Sequence, residues 1–221
     1  MSHELINLPE NRAEQTQVEQ LEEGLFREYI GKAEPLALEA ERSETVIGDL
    51  EDTENWHFQA EQTSCVIAIE EMIAEQLLKQ DMPEGKMIDY SQMRGWYEPM
   101  SGTSLEDTGK ILEALGLEVE RGENYSVSDL VESLVQGQKI LCAVDGMMLR
   151  DARLAQIPGR SANHAVQLVG IDFSDPQKAQ VILNDTFDPN GRGIRYDLDL
   201  FINAWKTSGN FAVMAEKGDA V

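Results

Sequence analysis

The chain has 221 residues, 42% hydrophobic and 27% charged, with a formal net charge of −23. That length suits one domain with a sizeable core. The charge excludes the basic footprint of a nucleic-acid binder and disfavours an anionic membrane surface, while a basic substrate or partner would be steered in. No segment combines a basic flank with the apolar core of a signal peptide, and no apolar run nears the roughly 18 residues that span a bilayer. The expectation is a protein without membrane insertion, cytoplasmic or exported without a cleaved signal peptide. Its two cysteines, Cys65 and Cys142, form no CxxC pair, and a cytosolic setting disfavours a disulfide between them.

Residues 1–54 read as an acidic arm, with 15 Asp and Glu against 4 Lys and Arg. Within it, 15–30 has a weak helical rhythm (Val18, Leu21, Leu25, Phe26, Tyr29). The arm is read as solvated and partly helical, outside the catalytic core, with a basic partner as its natural complement. Residues 55–217 carry the texture of a packed domain, and 218–221 read as a tail. A helix over 65–79 places Val66, Ile69, Ile73 and Leu77 on one stripe, with Thr63 or Ser64 as its cap. A second helix is predicted over 104–115, opening with Ser104-x-x-Asp107 and closing at Gly116. A third, over 127–136, is capped by Ser126 and stopped at Gly137. Short runs rich in branched residues then predict strands at 139–145, 164–172, 180–185, 194–198 and 210–216, with a helix from 198 to 206. Helices first and strands second is the α+β pattern.

A thiol attacks a carbonyl only as the thiolate, so its pKa must be lowered by a helix N-terminus and a neighbouring imidazolium. Cys65 sits at a helix start, whereas Cys142 lies inside an apolar strand. The base must be a histidine, the side chain that titrates near neutrality unaided. Of three, His3 is in the arm and His57 is near Cys65 by chain proximity alone. His164 opens an apolar strand, from which its ring could reach a cleft. The third partner must accept from the imidazole and set its tautomer. Asn184 and Asp185 end the strand at 180–185, point to opposite faces, and compete for that role, with Asp185 favoured. An oxyanion needs donors. The Cys65 N–H is one, and the side-chain amide of Gln59 can be another, with Gln62 the nearer competitor. The segment 188–191 (DPNG) reads as a turn, because the register of a calcium loop fails there. The methionines of 82–100 and 147–148 read as packing residues. Neither a phosphate loop nor a metal-spaced His/Cys cluster is present, so neither cofactor nor metal is implied.

The segment 163–172 (NHAVQLVGID) resembles the histidine strand of papain-like cysteine peptidases, and a Gln six residues before the Cys is also that family's pattern. The order Gln59, Cys65, His164, Asp185 resembles the bacteriocin-processing, double-glycine-leader branch. So do 102–120 (GTSLEDTGKILEALGLEVE) and 197–211 (DLDLFINAWKTSGNF). The resemblance spans about residues 56–216. It implies a papain-like fold, with a helical part carrying the Cys and an antiparallel sheet carrying the His and Asp. It also implies a thiolate–imidazolium pair and hydrolysis of a peptide or protein substrate through a thioester. Two features depart from the pattern: Val66 and Ile67 stand where a Gly is common, and Thr186 stands where Pro is usual. The same triad would serve a deamidase or an acyltransferase, and the fold alone would serve an inactive binding module.

Overall fold

The computed structural model describes residues 45–175 and 177–218. The helical rhythm at 15–30, most of the acidic arm and residues 219–221 lie outside them. The described chain folds around a seven-stranded, wholly antiparallel sheet. Its strands are β1 (Val46–Gly48), β2 (Glu118–Gly122), β3 (Lys139–Val144), β4 (His164–Asp172), β5 (Gln180–Asn184), β6 (Ile194–Asp197) and β7 (Ala212–Glu216). The order is β2-β7-β3-β4-β5-β6, and β1 pairs with the far end of β4. The helices are α1 (Cys65–Leu78), α2 (Glu84–Arg94), α3 (Lys110–Ala114), α4 (Val127–Val135) and α5 (Leu198–Trp205).

Strand alternation divides the core. Leu141, Ala143, Ala165, Val213 and Ala215 face α1, where Ile69, Met72 and Ile73 are fully buried. Ile140, Cys142, Val144, Val166 and Leu168 face the other way, onto Leu130 of α4 and Phe201 and Trp205 of α5. Helix α1 therefore lies across the sheet with its N-terminus above the start of β4. The expected stripe holds, but Ala68, Glu70 and Glu71 are buried as well, since α2 and α3 cover the outer side of α1. Between α1 and the sheet, Gln76, Gln167 and Asn184 form a closed polar network. Gln167 donates to Gln76 Oε1 (2.6 Å), Asn184 donates to Gln167 Oε1 (3.0 Å), and both Gln76 and Asn184 donate to the Asp52 carbonyl (3.1 Å each). Buried amides satisfied in this way fix register as well as stability.

The arm does not end at residue 54. Strand β1 pairs Ile47 with Ile171, and a 3₁₀ turn over Leu50–Asn55 brings Asp52 to Lys139 Nζ at 2.6 Å. Residues 46–54 thus belong to the packed domain. The strand is too short for an alternation to register, and the four acidic residues that follow mask it. A second expectation also shifts. Only 110–114 of the predicted 104–115 helix is helical. The Ser104–Asp107 pair forms (Oγ to Oδ2, 2.6 Å) but closes a turn, and Gly109, at φ +91°, breaks the path before α3 restarts. The buried Glu70 carboxylate accepts the N–H groups of Gly109 (2.7 Å) and Ile111 (3.1 Å), capping α3 from another helix. Strand β2 and helix α2 carried no clear sequence signal. Of the methionines read as packing residues, Met87 and Met148 are buried, but Met93, Met100 and Met147 are exposed.

Two measurements test this packing. Ile47 is 4% exposed, so Ile47→Ala should cost about 2–5 kcal/mol in urea unfolding, whereas a strand merely resting on the domain would cost almost nothing. Burial raises Glu70 from 4.5 to about 7, against the pull of its N–H partners. In that window the native state binds the proton that the unfolded state has released, so Glu70 makes stability fall as pH rises from 4.5 to about 7. Subtracting the pH–stability curve of Glu70→Gln from that of the wild type should isolate this falling slope.

Candidate active site

Cys65 is the first residue of α1, and no side chain caps that helix. Ser64 stands at the cap position, but its Oγ lies 2.7 Å from Glu84 Oε1 and accepts from the Glu61 N–H. Thr63, the other expected cap, donates to the Pro99 carbonyl. The first-turn N–H groups, which a cap would occupy, stay available to the thiol. The Val66 N–H and the Ala165 N–H from β4 both act on the sulfur and lower the thiol.

His164, the first residue of β4, completes the surroundings of Cys65. Its Nε2 is 2.7 Å from Asp185 Oδ1, and the ring also bonds the Cys65 sulfur. Burial alone would push the thiol up. The His164 bond, its positive charge and the two backbone N–H groups together outweigh that and hold Cys65 below the usual thiol range. Burial likewise pulls His164 down, but Asp185 and the sulfur raise it to about 9. Cys142, wholly buried among apolar side chains, is pushed far up. Both cysteines are free.

Asp185 follows β5 and is 0% exposed. Each of its polar atoms is held. Oδ1 takes His164 and the Phe187 N–H (3.0 Å), Oδ2 takes Arg150 Nη2 (3.1 Å), its carbonyl takes Trp56 Nε1 (2.9 Å), and its N–H donates to the Gly191 carbonyl (2.9 Å). The DPNG turn sets that last contact. A Cβ on Gly191 would fall 1.9 Å from the Asp185 oxygen, so only glycine fits. Desolvation raises the Asp185 carboxyl, and His164, the Phe187 N–H and Arg150 bring it below the ordinary range. Asn184 points the other way, into the network with Gln167, and its Oδ1 accepts from the Gly193 N–H (3.1 Å).

Gln59 lies in the same cleft, but its amide is committed. Nε2 donates to the carbonyls of Glu61 (2.7 Å) and Gln62 (3.0 Å), and Oε1 accepts from Thr186 Oγ1 (3.0 Å). In this state it braces the turn before α1. Thr186, where proline is usual in the resembled pattern, is half of that brace. His57 does not approach Cys65. Its Nε2 faces Glu71 Oε2 (2.9 Å) and Glu84 Oε2 (3.4 Å), which raise it to about 10. Glu84 also accepts the Ala60 N–H (2.8 Å), so His57 and Glu84 tie the 57–64 loop to α1 and α2. Sequence reasoning did not find Arg150, Trp56 or Glu84, because their partners lie 35, 129 and 20 or more residues away and no spacing rule links them.

The cleft around Cys65 encloses about 520 Å³. Its floor is Val66, Leu105, Leu141, Ala143 and Ala165, and one wall is the hydroxyl-rich segment 101–104. Phe187 closes the His164 end, its ring 6.2 Å from the imidazole and 6.4 Å from that of Phe58. Among the described residues no carboxylate lines the cleft in spite of the net charge, and the charged lining is Arg150 and His164. Among the described residues, no His/Cys/Asp/Glu group is placed to hold a metal, and no helix is long and apolar enough to cross a membrane.

Residues 47–201 match the family described as papain-like cysteine protease AvrRpt2. The chain belongs to that family. No curated protein matches it by sequence. Among solved structures, the peptidase domain of Streptococcus ComA, a bi-functional ABC transporter involved in a quorum-sensing pathway, is similar with a TM-score of 0.53 at 15% identity. That match covers 74% of this chain and 98% of the domain. A putative C39-like peptidase from Bacillus anthracis gives 0.60 at 13%, covering 79% and 99%. The proform of the ragweed cysteine protease Amb a 11 gives 0.53 at 9%, covering 82% and 67%. At these identities the likenesses establish the papain-like fold.

The two thiols give a direct test of this electrostatic picture. Iodoacetamide should modify Cys65 in the native protein well below pH 8 and leave Cys142 untouched until unfolding. Equal native rates at the two positions would contradict the arrangement.

Proposed function

We propose that the protein is a cysteine peptidase in which Cys65 is the nucleophile, His164 the base and acid, and Asp185 the group that orients the imidazole. The observation that carries this reading is the continuous line from the uncapped N-terminus of α1 through Cys65 and His164 to a fully satisfied Asp185. An anionic sulfur opposite an imidazolium is the resting form such chemistry needs. The sulfur attacks the scissile carbonyl carbon, and its oxygen takes up the electron pair beside the Cys65 N–H. His164 passes its proton to the leaving amine as the C–N bond breaks, which leaves a thioester. A water molecule then gives a proton to His164 and attacks the acyl carbon, and collapse releases the acid and restores the thiolate.

Gln59 is the second oxyanion donor in this proposal. Its longer bond, to the Gln62 carbonyl, is the one it would exchange for the developing charge, so donation is paired with a small movement of the 59–62 turn. The apolar floor and the lack of carboxylates in the cleft favour substrates with uncharged side chains beside the scissile bond. The net charge of −23 therefore acts at long range, on approach, rather than in selecting side chains within the cleft.

The test is covalent labelling by an epoxide inhibitor of thiol peptidases such as E-64, followed by a peptide-library screen for turnover. Labelling should fall on Cys65 and be lost in His164→Ala. Asp185→Ala should lower kcat by orders of magnitude, while Asn184→Ala should act mainly on thermal stability. Gln59→Ala should lower kcat about 100-fold or more and also lower the melting temperature, because it leaves the buried Thr186 hydroxyl without its acceptor and unbraces the 59–62 turn. A library that yields only deamidated or acyl-transferred products would replace peptidase by one of those activities on the same triad.

A further inference from the structure

We infer that Arg150 is a positioning residue for the reaction, holding the carboxylate of Asp185 in the orientation that His164 needs. This rests on the triad reading above. His164 and the Phe187 N–H occupy Oδ1 of Asp185, and Oδ2 is held by Arg150 Nη2 at 3.1 Å. The Asp185 side chain is 1% exposed, so no water can take over Oδ2 without rearrangement. Arg150 is 34% exposed at the rim of the cleft, and the same Nη2 lies 3.7 Å from Asp188 Oδ2. One nitrogen thus bridges the acidic member of the triad and the turn that closes with Gly191. Four groups share this field: His164 on β4, Cys65 on α1, Asp188 in the turn, and Tyr196 on β6. Burial raises Tyr196 first, the two aspartates raise it further, and Arg150 opposes them.

Removing the cation has a direction that can be worked out. Asp185 would lose a stabilising charge, so its protonation would begin at a higher pH. A protonated Asp185 no longer holds the imidazolium, and the thiolate goes with it. The contact is made through one nitrogen rather than the guanidinium fork, so an ammonium at the same place can replace it, which is not true of bidentate arginine sites.

The experiment compares wild type, Arg150→Gln and Arg150→Lys, each checked for a cooperative melt. The readouts are the pH profile of Cys65 alkylation by iodoacetamide and kcat and KM on a peptide the wild type cleaves. Arg150→Gln should move the acid limb of alkylation upward by about one pH unit and lower kcat about 10-fold with KM little changed. Arg150→Lys should restore most of both. Three outcomes would overturn the inference: an unchanged acid limb and kcat in Arg150→Gln, a raised KM at unchanged kcat, which would make Arg150 a substrate contact, or an Arg150→Lys as impaired as Arg150→Gln. A wild-type Cys65 alkylated only above about pH 8, like an ordinary thiol, would fall on the triad reading itself and take this inference with it.

Discussion

The constraint from which the rest of the molecule follows is Cys65 at the start of α1, a thiol taken out of water yet held below the usual thiol range. Taking a thiolate out of water is costly unless positive charge and N–H donors replace the lost solvent. At Cys65 they come from three separate stretches of chain: the open first turn of α1, the Ala165 N–H of β4, and the His164 ring. None of these can be brought in without the packing of α1 against the sheet. The apolar contacts of Ile69, Met72 and Ile73 with Leu141, Ala143 and Val213 therefore act on the site as well as on stability.

The cluster continues outward in layers. His164 needs Asp185, and Asp185 in turn is held through every polar atom it has, by Trp56, Arg150, Phe187 and Gly191. On the other side, Glu84 and His57 hold the loop that leads into Cys65, and Gln59 with Thr186 closes it against the segment after β5. The helical half and the sheet half of the domain are thus joined by polar contacts at the cleft itself. That arrangement places the reactive groups with little freedom, which is how preorganised sites reduce the cost of reaching the transition state.

The acidic character of the chain stops short of the chemistry. Carboxylates near the site are paired: Asp185 with His164 and Arg150, Glu71 and Glu84 with His57. Glu70 is spent on the N-terminus of α3, which sets the loop leading to the cleft wall. Among the described residues, what lines the cleft is apolar, hydroxyl- or amide-bearing, with Arg150 and His164 as its charged members.

Residue order alone determined the fold class and the strands from 139 onward, and it placed Cys65 at a helix start and Cys142 inside a strand. These rest on local physics, namely alternation along a strand, the capping box at Ser126 and Asp129, and a cysteine at a helix start. His164 and Asp185 were legible as candidates because one opens β4 and the other follows β5, strands whose apolar pattern is unmistakable. Other features belonged to tertiary structure. Strand β1 has three residues and gains its stability from β4, not from its own sequence. Gly109 divides an apparent helix because Glu70, from elsewhere, rewards the break. Ser64 sits at a cap position yet is drawn away by Glu84. Arg150 meets Asp185 across 35 residues of chain. A contact between groups that far apart in sequence depends on loop paths and shape rather than on any local periodicity. Only the folded chain could decide it.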